Sequence, residues 1–365
     1  MELSIPKNNG LLRELKILPS GYINFSTNDY LNLSDHSELV NESIKATRDF
    51  GTGAGGSRLI TGNMKLHELL EIKLADLTDM DSALLFGSGF LTNMGVLTAL
   101  AGRNDIIFSD KLNHASLIDG AMASKAEVKR YHHCDACHLE NLIRNNESSG
   151  HRIIVTDSLF SMDGDIAPLQ KISKLAEEFN CILVVDEAHA IGVFGNGGGI
   201  CKELNIKADV ITGTLSKALG GYGGFAACSS KMREYFINKS RSFIYTTALP
   251  PSCAASAIRA LEIIKDNPWI GKSVLSSATY LREELKNKGF NTSDSISQIV
   301  PVIVNDSIKA LAFSKYLENN KVIAVAIRPP TVPDGTARLR LSVTRAHSKK
   351  DLDKTISLME NFEWK

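Results

Sequence analysis

The stretch 182-ILVVDEAHA-190 runs through four apolar residues and then delivers Asp186, Glu187 and His189 in quick succession. An apolar run with no polar face has nothing to show to water. Such a strand is buried on both sides, which is the mark of a mostly parallel sheet covered by helices. The same pattern recurs at Ala83–Phe86 (ALLF), Ile106–Ser109 (IIFS), Ile153–Asp157 (IIVTD) and Asp209–Gly213 (DVITG). Helix-period segments lie between these runs. In Pro168–Phe179, the residues Leu169, Ile172, Leu175, Ala176 and Phe179 share one face, and Pro168 suits a first helical turn. The expected fold is α/β. In such sheets chemistry collects at the C-terminal ends of the strands. Asp157, Asp186 and the segment after Gly213 all fall there.

Outward from this core, the pattern changes after Pro250-Pro251. A long helical stretch to Lys288 is followed by β-like Ile299–Asn305, a helix, Val322–Ile327, Ala337–Val343 and a last helix. The expected organisation is an N-terminal segment (1–40) packing with the small domain, a large domain (41–250) and a smaller α+β domain (251–365). The 365 residues are 43% hydrophobic, enough for a sizeable core, and 41 basic residues balance 41 acidic ones. No global field draws the chain to nucleic acid or to an anionic membrane. The opening MELSIPKNNG lacks the form of a secretory signal, and no apolar run reaches the roughly 18 residues of a spanning helix. Six scattered cysteines suit a reducing compartment rather than a disulfide framework. A cytoplasmic protein is expected.

Within 213-GTLSKALGGYGGF-225, Lys217 has only small or apolar immediate neighbours. A lysine on a glycine-rich strand exit can approach a flat cofactor, and desolvation favours the neutral amine needed for a Schiff base. The competing reading is a surface lysine in a flexible loop. Asp186 closes a buried strand and needs a partner, such as a protonated pyridine nitrogen; alternatively it caps the next turn. His189 is close enough to face the same ligand. Gly87–Phe90 (GSGF) links a strand to a helix whose free N–H groups suit a phosphate, although chain reversal alone explains many such turns. His132–His138 (HHCDACH) has three histidines and a C-x-x-C, but Cys181, Cys201, Cys228 and Cys253 form no second pair at zinc spacing. No metal is expected. In 327-IRPPTVP-333 the prolines stiffen a loop around Arg328, a natural carboxylate partner or an ordinary surface arginine.

In order and spacing, these segments resemble the α-oxoamine synthases, fold-type I enzymes that use pyridoxal 5′-phosphate. The segments that carry the resemblance are GTGAGGSRLITG (51–62), LLFGSGF (84–90), NHASLIDG (113–120), DSLFSMDGDIAPL (157–169), VVDEAHAIGVFG (184–195), GTLSKALGGYGGF (213–225) and IRPPTVPDGTARLRLSVTRAH (327–347). The likeness runs from about Asn24 to the last helix. It implies that Lys217 bonds the cofactor covalently and that Asp186 pairs with its pyridine nitrogen. It implies that His189 and Ser161 hydrogen-bond the cofactor and that His114 stacks on its ring. Gly89, Phe90 and Thr214 fall on the phosphate side. Arg328 and Thr331 match substrate contacts, Arg13 an N-terminal acyl-substrate arginine, and Thr246 or Thr247 a contact to a neighbouring subunit's phosphate.

The last segment is most similar to the biotin-pathway branch. That branch condenses L-alanine with a pimeloyl thioester of acyl-carrier protein or coenzyme A and works as a homodimer; relatives using glycine or serine with another acyl thioester are the alternative. Arg13, Arg338 and Arg340 are candidates for a basic patch facing a carrier protein. The chain departs from the family pattern at Asn32, where glycine is usual, at Cys134, where asparagine is common, and in GNGGGI (195–200), which lacks a frequent arginine.

Overall fold

The computed structural model describes residues 15–18 and 20–364. These divide into two compact units. The larger holds Leu31–Phe160 and Ile166–Lys272; the smaller holds the N-terminal residues to Tyr30, Ser161–Asp165 and Ser273–Lys365.

The smaller unit begins with the two-residue strand β1 (Ile23–Asn24), parallel to β10 (Val322–Ile323). Beside them β9 (Ile299–Asn305), β12 (Ala337–Ser342) and β11 (Val325–Ile327) form an antiparallel sheet in the order β11-β12-β9. Phe25, Leu281, Val300, Phe313, Leu339 and Met359 lie in its fully buried core.

The larger unit is built on a seven-stranded sheet in the order β2-β8-β7-β6-β5-β3-β4. The strands are β2 (Ser82–Phe86), β3 (Ile106–Asp110), β4 (Glu127–Tyr131), β5 (Arg152–Asp157), β6 (Ile182–Asp186), β7 (Val210–Thr214) and β8 (Gly224–Cys228). The pairs β4–β3, β3–β5, β5–β6 and β6–β7 are parallel, while β8 runs antiparallel to both its neighbours. All five apolar runs are strands, as their patterning predicts. Two further strands are less legible. EVKRY (β4) is an edge strand that keeps polar residues on its open side, and GFAAC (β8) is made of small residues after a glycine-rich loop.

The helices used below are α1 (Ser37–Phe50), α2 (Lys65–Thr78), α3 (Gly89–Leu100), α4 (Ala115–Ala123), α5 (Ala136–Arg144), α6 (Leu169–Glu178), α7 (Pro251–Asp266) and α8 (Ile270–Asn287). Helix α6 matches the segment read from its apolar stripe. The long helical stretch expected after Pro250 is instead two helices. Pro268 lacks an N–H and disfavours helical geometry at Asn267, so α7 stops and α8 starts afresh. Among the described residues no helix is long and apolar enough to cross a membrane.

Candidate active site

The site-forming residues of the larger unit sit where the parallel strands end. Lys217 lies three residues past β7 in a loop closed on itself. Leu215 N–H donates to Gly223 O at 3.0 Å, Gly221 N–H to Leu215 O at 2.8 Å, and Gly220 N–H to Lys217 O at 2.9 Å. Thr214 Oγ1 donates to Gly223 O at 2.9 Å and accepts from Ser216 N–H at 3.1 Å. Gly220 has φ +64°, and a Cβ there would fall 2.6 Å from the Leu33 carbonyl carbon. Glycine lets the loop fold down at this point. Lys217 is half-buried, held on a pinned loop rather than a flexible one.

Asp186 ends β6 and is 5% exposed. Its Oδ2 accepts from Asn93 Nδ2 at 2.6 Å and its Oδ1 from Ala188 N–H at 2.8 Å. His189 is equally buried one turn later. His114 caps α4, and its backbone N–H donates to Asp157 Oδ2 at 2.7 Å. Much of the His114 surface meets solvent, yet its pKa lies below the usual histidine value. Partial desolvation is the main cause; Asp186 pulls upward, and Lys217 adds to the lowering. Asp186 and Lys217 thus both lie within electrostatic reach of His114.

Helix α3 starts at Gly89, with Ser88 as its cap: Ser88 Oγ accepts from Leu91 N–H at 3.2 Å. Its first turn lies against the ends of β7 and β8. A Cβ on Gly89 would come within 3.2 Å of Thr214 Cβ, and one on Gly224 within 2.5 Å of the Gly89 amide nitrogen. Gly89, Phe90 and Thr214 are thus neighbours at the N-terminus of a twelve-residue helix, where the backbone dipoles favour an anion. A half-buried lysine, a buried carboxylate and a free helix N-terminus are groups that suit pyridoxal phosphate, which carries an aldehyde, a basic ring nitrogen and a phosphate.

The remaining expected residues lie elsewhere. Ser161, Arg328 and Thr331 belong to the smaller unit. There Arg340 Nε donates to Ser161 O at 2.5 Å, and Thr331 N–H closes the proline-rich turn onto Arg328 O at 3.1 Å. Arg338 and Arg340 are 4% and 7% exposed. Arg338 pairs with Asp163, and Arg340 also donates to Ser342 Oγ, so neither contributes to the surface basic patch considered from the sequence. Arg13 lies outside the described residues. Thr246 Oγ1 bonds back to Ser242 O, and Thr247 makes a backbone bridge with Ser57.

HHCDACH divides in two. Asp135 caps α5 by accepting from His138 N–H at 2.9 Å, and Cys137 is exposed. His133 Nδ1 instead bonds Asp110 Oδ1 at 3.0 Å, and Cys134 N–H donates to Asp110 Oδ2 at 2.9 Å. Cys134 lies in the turn before α5 and Cys137 in its first turn.

Asn93 escaped the sequence reading, and Asp157 was placed at a strand end without a role. Asn93 lies on α3, buried to 2% exposure, in contact with Asp186. Asp157 anchors His114. A polar side chain on the apolar face of α3 was the available signal for Asn93; its partner was not readable.

Comparison with known proteins gives the family. The family model for class I and II aminotransferases matches residues 20–358. The chain belongs to that family. It is 44% identical over 337 residues to an 8-amino-7-oxononanoate synthase from Geotalea daltonii, covering 91% of this chain and 86% of that one. A second 8-amino-7-oxononanoate synthase, from Lysinibacillus sphaericus, is 42% identical over 370 residues, covering 98% and 95%. Among solved structures, a serine palmitoyltransferase from S. paucimobilis with a bound PLP–myriocin aldimine superposes with TM-score 0.90 at 28% identity, covering 93% of this chain and 86% of that one. An 8-amino-7-oxononanoate synthase from Francisella tularensis gives TM-score 0.82 at 28% identity, covering 94% and 98%. The α-oxoamine synthase resemblance and the fold-type I expectation are borne out.

Proposed function

We propose that the protein is a pyridoxal-phosphate-dependent acyltransferase that condenses L-alanine with a pimeloyl thioester. The products are 8-amino-7-oxononanoate, CO2 and the free thiol of the carrier. The observation that carries this reading is the gathering of Lys217 and Asp186 within electrostatic reach of His114, in a chain 42–44% identical to 8-amino-7-oxononanoate synthases over most of its length.

When bound, pyridoxal phosphate supplies an electron sink conjugated to the α-carbon of the amino acid. The rest falls to the protein. Lys217 would hold the cofactor, and its free amine would take the α-proton of L-alanine. Asp186 would accept from the ring N–H and keep that proton in place. The N-terminus of α3 with Thr214 fixes the phosphate. His189 and Ser161 are assigned to hydrogen bonds on the cofactor. His114 covers the ring and offers a donor to the thioester-derived oxygen. Arg328 takes the substrate carboxylate, with Thr331 beside it in sequence, and Arg13 is assigned to the acyl substrate.

We also propose a cytoplasmic homodimer. Helices α1 and α2 expose Val40, Ile44, Leu69 and Ile72, and Ile60 between them is 79% exposed. These apolar side chains suit burial against a second copy.

The direct test is product analysis of purified protein with pyridoxal phosphate, L-alanine and pimeloyl thioesters of both carriers, with glycine and L-serine in parallel. Release of CO2 and thiol with L-alanine alone supports the reading. Preference for glycine or serine moves the protein to another α-oxoamine synthase reaction.

A further inference from the structure

One directed chain of hydrogen bonds ties four segments of the larger unit together beneath the site. Thr212 Oγ1 donates to Asn93 Oδ1 at 2.7 Å. Asn93 Nδ2 lies 2.6 Å from Asp186 Oδ2 and 2.9 Å from Ser116 Oγ. Ser116 Oγ lies 2.8 Å from His114 Nδ1. Asn93, Thr212 and Ser116 are all 2% exposed or less. Water does not reach the Thr212–Asn93–Ser116 part of the chain.

Donor directions along the chain follow from chemistry. Both Asp186 oxygens accept hydrogen bonds. A flipped Asn93 amide would set its oxygen against that carboxylate at 2.6 Å, two acceptors in contact. The amide NH2 therefore faces Asp186, and the Thr212 hydroxyl donates to the oxygen on the other side. The second N–H of the same NH2 goes to Ser116 Oγ. Ser116 Oγ can accept twice, so the direction of its bond to His114 is set by the backbone. Nδ1 receives the Ser116 N–H at 3.3 Å, which leaves the Ser116 hydroxyl to donate to it. Nδ1 is thus an acceptor, and the ring proton sits on Nε2.

We infer that Asn93 is a positioning residue that couples Asp186 to His114, holding the Asp186 carboxylate in place and locking His114 as the neutral Nε2–H tautomer. Thr212 fixes which way the Asn93 amide faces. One amide thereby sets both groups assigned to the cofactor ring: the acceptor for its nitrogen and the histidine that covers it, whose Nε2–H is the donor available to a substrate oxygen. The lock on His114 is a property of the chain itself. Its effect on cofactor binding rests on the function proposed above.

The test has two readouts. Nitrogen NMR of protein labelled at its histidines, with no cofactor added and His114→Gln used for assignment, reads the tautomer at neutral pH. Wild type is expected to show Nε2–H alone. Ser116→Ala and Asn93→Leu are expected to give a mixture of tautomers. Asn93 is buried, so Thr212→Val and Thr212→Ser form a second, gentler pair: valine should loosen the lock and serine should restore it. Pyridoxal phosphate titration is the second readout. Its dissociation constant should rise about tenfold in Asn93→Leu, the scale of one lost hydrogen bond to a charged group, and stay near wild type in Thr212→Ser. An Nδ1–H signal in wild type, or variants that keep both tautomer and affinity, overturns the inference. Wild type that shows the lock but takes up no pyridoxal phosphate overturns the proposed function and leaves the lock standing.

Discussion

Asp157 and Asp186 are register partners at the ends of the adjacent parallel strands β5 and β6. They are 3% and 5% exposed, so two carboxylates share one buried edge. Asp157 is pushed well above the ordinary carboxylate range, first by burial and then by Asp186. The His114 N–H and Lys217 oppose the rise. The like-charge strain thus falls on Asp157, which leaves Asp186 as the carboxylate suited to a lysine and a protonated ring nitrogen.

This relationship predicts how an amide behaves at position 157. Asp157→Asn keeps an acceptor for the His114 N–H and removes the like charge. Because the folded-state pKa is raised, the native form favours protonated Asp157. The stability it contributes is present below the unfolded value near 3.9 and is lost as pH rises through the folded value. Asp157→Asn should therefore gain on wild type as pH rises from 5 to 8. Urea unfolding of cofactor-free protein at the two pH values measures this; a difference that does not move with pH removes the account.

At Lys217 the expectation is chemical. Lys217→Ala should fold normally, since the loop is closed by backbone bonds and the lysine side chain is not needed for them. Turnover should fall by on the order of 10³-fold or more, as for loss of a covalent catalytic group. Borohydride reduction followed by mass spectrometry should fix pyridoxyl on wild type at residue 217 and on no lysine of the variant.

His347 makes a pH-dependent contribution in the smaller unit. Its ring stacks on Phe25 at 4.0 Å, Nε2 donates to Asn24 O at 3.1 Å, and Nδ1 accepts from Thr344 N–H at 3.0 Å. A second ring proton would confront that N–H. Burial holds the pKa down at about 4. A depressed histidine stabilises above its unfolded value near 6.5 and loses that contribution as pH falls through the folded value. Unfolding free energy should drop by about 3 kcal/mol between pH 6.5 and 4 from this group. His347→Gln should flatten that part of the profile in a denaturant series.

Glu71 is the hinge of a buried ion cluster. It accepts from Arg58 and Arg233 at 2.8 Å each and from Leu85 N–H at 3.0 Å. With a side chain 5% exposed, its loss would strand a nearly buried Arg58. Glu71→Ala should cost about 3–5 kcal/mol, the scale for removing one partner of a buried pair. Chemical denaturation monitors it directly, and a loss under 1 kcal/mol would place these charges in water.

Residues 182–190 show how far the sequence by itself reached. Local chemistry dictated that ILVVD is a buried strand, that Asp186 sits at its end, and that Lys217 follows another strand in a glycine-rich loop. These are short-range facts of patterning and backbone freedom, readable within a dozen residues. The edge strand EVKRY and the small-residue strand GFAAC were harder because their character comes from what lies beside them. Tertiary structure alone decided the company Asp186 keeps. Asn93 is 93 residues away and Thr212 is a further 119 from Asn93. Crossover connections bring the helix after β2 against the ends of two strands, and only there does an unremarkable helical asparagine become the group that sets a carboxylate and a histidine together.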